Sequence, residues 1–282
     1  MNLKQVANQL LPVYQNINQA QQVASWLLEK LTGNKQVHIW LEQELKLTSE
    51  QNSLLDGWLE QIIVQHKPVQ YILGSVPFLN LDILVEPPVL IPRLETEYWV
   101  DLLINRLKNF KNHNLEILDL CSGSGCIGLA LAKNLPNCQV TAVDISRFAC
   151  DLIVKNKNHN LIENLVVICS DLFANLIGKK FDIIVCNQPY IPAQDNENLD
   201  LSVQLWEDRL ALVAPESDLD IIVKIIEQAP DFLQYRYVGL QKLWIEVDIT
   251  QGSQVLALMQ ASFEQAELIC DQFDRQRVVV GK

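Results

Sequence analysis

The stretch CNQPY, residues 186–190, follows an apolar run and carries groups that could hold a planar NH2 group. The Asn187 side-chain carbonyl can accept one N–H, and the main-chain carbonyl of Gln188 can accept the other. Pro189 restricts its own φ and so fixes where that carbonyl points, while Tyr190 offers a flat wall. Two such acceptors favour a pyramidal nitrogen whose lone pair faces a reaction partner. The pattern predicts a site that activates an amide or amino nitrogen.

Gln188 looks out of place in this group, but the chemistry asks only for its main-chain carbonyl. Its side chain therefore need not take part. Taken alone, CNQPY is equally compatible with an Asn-Pro turn that caps a strand. The choice between the two interpretations depends on what else the chain carries.

A glycine loop lies upstream, in the stretch DLCSGSGCIGLALA at residues 119–132. Gly123 and Gly125 fall between a predicted strand and a predicted helix, where the missing side chain lets a ligand approach the backbone and helix N–H groups. Asp144 ends the next predicted strand, roughly 20 residues further along, which suits hydrogen bonds to ribose hydroxyls. Together with Gly128 the loop also satisfies GxGxxG, so by itself it leaves a dinucleotide oxidoreductase open.

The combination of both motifs favours S-adenosylmethionine as the ligand. An oxidoreductase gives no reason for Asn-x-Pro-Tyr after the fourth strand, whereas a methyltransferase acting on an amide or amino nitrogen does. Asp171 and Leu172, after the third strand, would flank the adenine. A helix cap is the alternative role for Asp171.

Short apolar runs alternating with helical patterns would position these residues. The predicted strands are 115–120, 139–145, 165–171, 181–187 and 242–247, with two more in the tail AELICDQFDRQRVVVGK. The predicted helices between them are 97–109, 126–134, 147–158, 217–229 and 251–263. Such alternation predicts a doubly wound parallel sheet with a final antiparallel hairpin.

The residues before this alternation have helical spacing. Thr48 and Gln51 form a predicted capping box before a helix, and weaker patterns cover 3–14, 18–31 and 36–45. We predict an α/β fold of the Rossmann-like, seven-stranded, S-adenosylmethionine-dependent methyltransferase type, with a small N-terminal helical domain and a linking β-hairpin. The predicted boundaries are 1–75 for the helical domain, 76–96 for the hairpin linker and 97–282 for the methyltransferase domain.

Composition limits the partners. The 282 residues carry a net charge of -12, which argues against a surface that tracks nucleic-acid phosphates. The seven cysteines form no CxxC pair and the four histidines are scattered, so we expect reduced thiols and no metal site. No apolar stretch approaches the length of a membrane span, and no signal-peptide pattern opens the chain, so we expect a cytoplasmic protein without a membrane partner.

Several ordered motifs resemble those of the HemK-type release factor glutamine methyltransferases. PVQYILGSVPF and VLIPRLETE are similar to the family's interdomain segment, DLCSGSGCIGLALA to its cofactor loop, and NQPYIP to its NPPY motif. WEDRLAL, LWIEVDITQG and DRQRVVVG resemble its later blocks. The resemblance covers nearly the whole chain and implies N5-methylation of the glutamine in the GGQ motif of class 1 peptide chain release factors.

The resemblance also implies roles for individual residues. Asn187, Gln188, Pro189 and Tyr190 would bind the substrate glutamine and perform catalysis. The cofactor would be held by Cys121, Ser122, Gly123, Ser124, Gly125, Asp144, Asp171, Leu172 and Asn187. A stretch matching PRxETE, with Arg93, Glu95, Thr96 and Glu97, would lie near the cofactor pocket, and surface salt bridges are the competing role for its charges. The helical domain would help to grip the release factor, and we expect a monomer with no direct nucleic-acid partner.

The chain departs from the family pattern at three places. Gln188 replaces the first proline of NPPY, Leu172 stands where an aromatic residue is frequent, and VAPESDLD at 213–220 replaces a glycine-rich turn. Two alternatives therefore stay open. One is a methyltransferase that acts on adenine N6 or another nucleic-acid amino group, and the other is a module that keeps the fold without catalysis.

Overall fold

The computed structural model of the chain describes residues 2–41, 45–110, 112–191, 199–213 and 219–282. Its contacts divide it into two compact units. One contains Met1–Ser75 and Asp200–Trp206, and the other contains Val76–Leu199 and Glu207–Lys282. The first unit is helical, whereas the second holds the large sheet.

The helices of the described residues are, in chain order, α1 Leu3–Tyr14, α2 Ile17–Thr32, α3 Gln36–Leu41, α4 Ser49–Ile63, α5 Val69–Leu73, α6 Leu94–Leu107, α7 Cys126–Asn134, α8 Arg147–His159, α9 Leu201–Trp206, α10 Arg209–Leu212, α11 Asp220–Phe232 and α12 Gly252–Ser262. The strands are β1 Ser75–Phe78, β2 Leu81–Leu84, β3 Glu116–Leu120, β4 Gln139–Asp144, β5 Leu165–Cys169, β6 Ile183–Cys186, β7 Leu243–Glu246, β8 Ala266–Cys270 and β9 Gln276–Gly281. No helix within these ranges is long and apolar enough to cross a membrane.

The helical unit is organised around the buried faces of α1, α2 and α4. The predicted capping box is present, because the Thr48 hydroxyl accepts from the Gln51 main chain while the Gln51 side chain accepts from the Thr48 main chain. The buried face of α4 consists of Leu55, Leu59 and Ile62. Burial of these faces against one another supplies most of the stability that short helices lack alone.

Helix α9 belongs to the same unit, although it lies far along the chain. The Trp206 indole N–H donates to the Gln65 carbonyl at 2.8 Å, and the Lys67 ammonium lies 5.0 Å from the centre of the Trp206 ring. These seven positions, 200–206, lie within the predicted range 97–282, and their contacts join them to the first unit. A six-residue helix is too short for its pattern to reveal a remote packing partner.

The predicted hairpin is present as a two-stranded sheet of β1 and β2. The turn between them places Leu79 at a φ of 51°, in the left-handed region. Glu97 of α6 accepts a hydrogen bond from the Leu79 main chain at 2.6 Å, which ties this turn to α6 within the second unit.

The seven-stranded sheet has the order β5-β4-β3-β6-β7-β9-β8. Strands β5, β4, β3, β6 and β7 are parallel, and β9 pairs antiparallel with β7 and β8. All four residues of β6 are buried, as expected for a central parallel strand covered on both faces. The strand order reverses direction between β3 and β6, which is where α/β sheets of this kind bind ligands.

The predicted fold class is confirmed, and small differences concern helix ends. Helix α11 begins at Asp220 and continues past Pro230 to Phe232, whereas the pattern predicted an end at residue 229. The stacked rings of Phe173 and Phe232, with centroids 4.5 Å apart, anchor this last turn against the core. Tertiary packing here overrides the local preference of proline.

Candidate active site

A cavity of about 970 Å³ opens at the carboxyl ends of the parallel strands. Most of the predicted site residues line it, namely Cys121, Ser122, Gly123, Ser124, Asp144, Asp171, Leu172, Asn187 and Pro189. They come from segments distant in sequence and converge because β3, β4, β5 and β6 all end at this edge of the sheet. The volume is in the range of pockets that enclose a cofactor.

Three predicted residues, Gly125, Gln188 and Tyr190, are not part of the cavity lining. Gly125 directly precedes α7 and has a φ of 82°. A Cβ there would lie 3.0 Å from the Ile153 side chain, so glycine is required by the helix packing behind the loop. The other two residues bond to Glu246 of β7 and to Gln251, as described below.

The loop after β3 is held by the carboxylate that ends β4. Asp144 accepts from the Gly123 main chain and from the Ser146 main chain, each at 2.8 Å. Burial raises the pKa of the Asp144 carboxyl, while these two hydrogen bonds oppose the rise. Each carboxylate oxygen keeps a second lone pair, so Asp144 can still accept hydrogen bonds from the hydroxyl groups of a ligand in the cavity.

The combination of a buried carboxylate, a loop with a main-chain N–H turned toward it and a cavity of this volume fits a nucleoside-containing ligand. Gly123 has a φ of 54°, a conformation that side chains rarely adopt. Leu172 also lies in the left-handed region, at a φ of 42°, where the chain turns along the cavity wall. Exposed Asp171 also lines the cavity, and no α-helix of the described residues begins directly after it, which disfavours a helix-cap role.

Asn187 lies at the end of β6 and faces the cavity. Its side-chain nitrogen donates to the Thr96 hydroxyl at 3.2 Å, and that hydroxyl donates to the Glu246 carboxylate at 2.7 Å. The Trp99 indole N–H donates to the same carboxylate oxygen at 2.6 Å. Burial raises the pKa of the Glu246 carboxyl, and these bonds partly offset that effect.

Gln188 and Tyr190 connect the segment to β7 and to Gln251. The Gln188 side chain is buried and donates to the main-chain carbonyl of Glu246 at 2.9 Å. The Tyr190 carbonyl accepts from the Gln251 side chain at 2.9 Å. Burial is the main cause of a raised pKa at the Tyr190 hydroxyl. The predicted role of the Tyr190 ring, as a wall of the substrate site, stays a prediction.

The residues of the PRxETE stretch divide between the two predicted roles, which are lining the cofactor pocket and forming surface salt bridges. Arg93 and Thr96 line the cavity, whereas Glu95 and Glu97 do not. Arg93 also forms an ion pair with buried Glu207, in which one guanidinium nitrogen donates to both carboxylate oxygens, at 2.8 and 2.7 Å. Glu207 lies two residues before α10, so the pair ties the cavity wall to that segment. Glu95 pairs with Arg275 at 3.5 Å near the surface.

Sequence patterns missed several cavity residues. Ile221, Lys224 and Gln228 of α11 form part of one wall, and their helical spacing is the signal that marks a shared face. Asp208 also lines the cavity, and its carboxylate accepts from the Leu210 main chain. Glu246 lies in a motif quoted above, but nothing in its local sequence indicates that it reaches Thr96. Most of the unusual VAPESDLD segment, residues 214–218, lies outside the described residues.

All seven cysteines are free, and the described part of the chain contains no cluster of His, Cys, Asp and Glu that could hold a metal ion.

Solved structures share the fold of this chain. A methyltransferase from Pyrococcus furiosus covers 83% of this chain and 97% of its own, with a TM-score of 0.50 and 15% identity. The 16S rRNA N2 G1207 methyltransferase of Thermus thermophilus, described in complex with AdoMet and guanosine, covers 74% of this chain and 49% of its own, with a TM-score of 0.52 and 14% identity. Identities this low bear on the fold alone.

Sequence comparisons cover both units. The model of the methyltransferase small domain matches residues 99–216, and that of the PrmC N-terminal domain matches residues 3–74. The release factor glutamine methyltransferase of Streptococcus pneumoniae is 40% identical over 243 residues, which are 85% of this chain and 83% of the relative. The enzyme of that name from Escherichia coli is 36% identical over 260 residues, 92% of this chain and 91% of the relative.

The fold, the cavity and these matches define an S-adenosylmethionine-dependent methyltransferase. That result excludes the dinucleotide oxidoreductase left open by the glycine spacing. Within the class, the chain belongs to the family of release factor glutamine methyltransferases. The family resemblance, the enzyme class and the cofactor predicted from the sequence are therefore confirmed.

Proposed function

We propose that this protein methylates N5 of the glutamine in the GGQ motif of class 1 peptide chain release factors. The observation that carries the proposal is the placement of Asn187 at the end of β6, facing the cavity with its side-chain nitrogen already bonded to Thr96. That bond leaves the side-chain oxygen to accept an N–H of the substrate. Among the described residues, no hydrogen bond is donated to this oxygen or to the Gln188 carbonyl.

The residues of the chain would act mainly by positioning. The Asn187 side-chain oxygen and the Gln188 carbonyl each accept a hydrogen bond from one N–H of the substrate amide. This takes the nitrogen lone pair out of conjugation with the amide carbonyl. Pro189 limits the directions open to the preceding carbonyl, and Tyr190 packs beside the planar group. S-adenosylmethionine supplies a methyl group on positively charged sulfur, and transfer removes that charge, so no strong base is required of the protein.

The cofactor would be held by the loop after β3 and by the ends of β4, β5 and β6. Asp144 would accept the ribose hydroxyls, Asp171 the adenine amino group, and Leu172 would pack on the adenine ring. The remaining proposed cofactor residues are Cys121, Ser122, Gly123, Ser124, Gly125 and Asn187. The cavity volume and the Asp144 hydrogen bonds support this assignment.

We assign the helical residues 1–75 to holding the protein substrate, residues 76–96 to the hairpin linker and residues 97–282 to the methyltransferase domain. The match of the PrmC N-terminal domain to residues 3–74 supports the first assignment. A net charge of -12 supports a protein substrate over a nucleic acid, and we propose that the enzyme acts as a cytoplasmic monomer.

Transfer of radiolabelled methyl groups tests the proposal. We expect label on a class 1 release factor, and none on ribosomal RNA or DNA offered under the same conditions. A release factor in which the GGQ glutamine is replaced by glutamate should remain unlabelled, because it lacks the amide nitrogen. Label on nucleic acid would favour the amino methyltransferase alternative, and label on neither would favour a non-catalytic module.

Asn187→Ala is the matching change in the enzyme. We expect it to lower kcat at least about 100-fold, because the substrate nitrogen loses one of two acceptors. Cofactor affinity, measured by calorimetry, should change by only a few-fold. Transfer at the wild-type rate would remove Asn187 from the mechanism.

A further inference from the structure

Both acceptors of the Asn187–Tyr190 segment are connected to one residue of the neighbouring strand. Glu246 ends β7 and is almost completely buried, with 1% of its surface exposed. Its carboxylate is reached from Asn187 through Thr96, and its main-chain carbonyl is reached directly from the Gln188 side chain. These are two independent paths from one residue to the two groups that would face a substrate amide.

The path through Thr96 determines which end of the Asn187 side chain faces the cavity. An indole N–H can only donate, so the contact with Trp99 marks the Glu246 oxygen as an acceptor. The Thr96 hydroxyl donates its only hydrogen to that same oxygen, at 2.7 Å. The Thr96 oxygen is then left as an acceptor, and Asn187 must turn its NH2 group toward it. The amide oxygen is thereby presented to the cavity.

The path through Gln188 restrains the main chain of the same segment. The buried Gln188 side chain donates to the Glu246 carbonyl at 2.9 Å, although its own oxygen has no partner among the described residues. A buried amide oxygen without a partner costs about 1–3 kcal/mol. The chain tolerates this cost at a position whose side chain does not line the cavity. The side chain therefore acts as a tether that fixes the residue-188 carbonyl.

We propose that Glu246 is the positioning residue of the site, orienting the Asn187 amide through Thr96 and holding the Gln188 carbonyl through the Gln188 side chain. Thr96 and the Gln188 side chain are positioning groups in the same sense. The proposal rests on the proposed function, because it concerns how the two acceptors meet a substrate nitrogen. It assigns to Gln188 a side-chain role that differs from its main-chain role toward the substrate.

Thr96→Val removes the first path without changing the size of the side chain. Because the Asn187 amide can then turn over, we expect kcat to fall about tenfold or more, with the KM for the cofactor nearly unchanged. Thr96→Ser keeps the hydroxyl and should restore kcat to within about twofold of wild type. Thr141→Val is the matched control, since Thr141 is a buried threonine of β4 outside the cavity and should leave kcat unchanged.

Gln188→Ala removes the second path, and we expect kcat to fall about threefold to tenfold. Gln188→Pro should recover most of that loss, because a proline ring restrains the main chain by a different means. No main-chain hydrogen bond from the Gln188 N–H is present among the described residues, so proline sacrifices none there. If Thr96→Val and Gln188→Ala both retained kcat within twofold of wild type, the proposed role of Glu246 would be wrong.

A readout independent of transfer separates this proposal from the proposed function. In 15N-labelled protein, the side-chain NH2 protons of Asn187 should exchange with water faster in Thr96→Val than in wild type or Thr96→Ser. Those of Gln188 should be the slower pair in wild type, because that side chain is buried. Wild-type enzyme that fails to label a release factor would refute the proposed function alone, whereas equal exchange in all three proteins would refute the Thr96 path.

Discussion

Asp119 is a buried carboxyl group that connects β3 to the helix after the glycine loop. It lies in β3 with no exposed surface, and one of its oxygens accepts from the Gly128 main chain at 2.9 Å. Its other oxygen has no partner among the described residues. Burial raises the pKa of Asp119 to about 7. Burial therefore favours the protonated form of this carboxyl, while the hydrogen bond from Gly128 opposes that effect.

We expect this carboxyl to make stability depend on pH. The unfolded carboxyl ionises near pH 4, whereas the folded one holds its proton to about pH 7. Between these values the folded state binds more protons, so the free energy of unfolding falls as the pH rises, by a few kcal/mol. Asp119→Asn removes this contribution, so wild type should lose stability relative to the variant from pH 4 to pH 7. Urea unfolding of both proteins measures it, and a difference that does not change with pH would contradict the assignment.

At the scale of secondary structure elements, helix α8 connects the hairpin to the cofactor loop. Asn156 of this helix is completely buried and makes three hydrogen bonds. It accepts from the Leu84 main chain at 2.7 Å and donates to the Leu84 carbonyl at 3.0 Å and to the Ser124 carbonyl at 2.9 Å. The edge of β2 and the loop after β3 are thus joined by one side chain.

Asn156→Ala should lower the free energy of unfolding by about 2–4 kcal/mol, because it leaves three buried or partly buried main-chain groups without this partner. Asn158→Ala is the matched control, since Asn158 lies in the same helix with an exposed side chain, and it should cost less than about 0.5 kcal/mol. Chemical denaturation of the two variants gives the comparison. Equal costs would show that the three hydrogen bonds contribute little.

At the scale of the whole molecule, a short segment that follows β6 in the chain, Asp200–Trp206, belongs to the helical unit. Helix α9 and the start of the chain thereby share one compact unit, although they are far apart in sequence. Trp206 makes the specific contacts, through its indole N–H and through the face of its ring. A cation over an indole ring contributes about 0.5–1 kcal/mol at exposed sites.

Trp206→Ala should loosen the helical unit near the end of α4. We expect amide hydrogens close to Gln65 to exchange about tenfold faster, which corresponds to about 1.4 kcal/mol of local stability. Leu205→Ala changes the exposed neighbour on the same helix and should leave these exchange rates unaltered. Hydrogen exchange followed by mass spectrometry resolves the difference, and equal rates in both variants would mean that α9 is not anchored by Trp206.

The sequence by itself determined the features that depend on local pattern. Strand and helix periodicity predicted the order of the elements, and the glycine loop, Asp144 and CNQPY together predicted S-adenosylmethionine as the cofactor. These features could be predicted because each is encoded within a few residues, where main-chain conformation and burial alternate with a fixed period.

Only the tertiary structure decided which side chains support that site. Thr96 and Glu246 are separated by 150 positions, and they meet because α6 contacts β7, where the Trp99 and Trp244 rings also stack. The side chain of Gln188 reaches Glu246 because β6 pairs with β7. Such contacts depend on strand order and on the space left by neighbouring side chains, and no local pattern records either one.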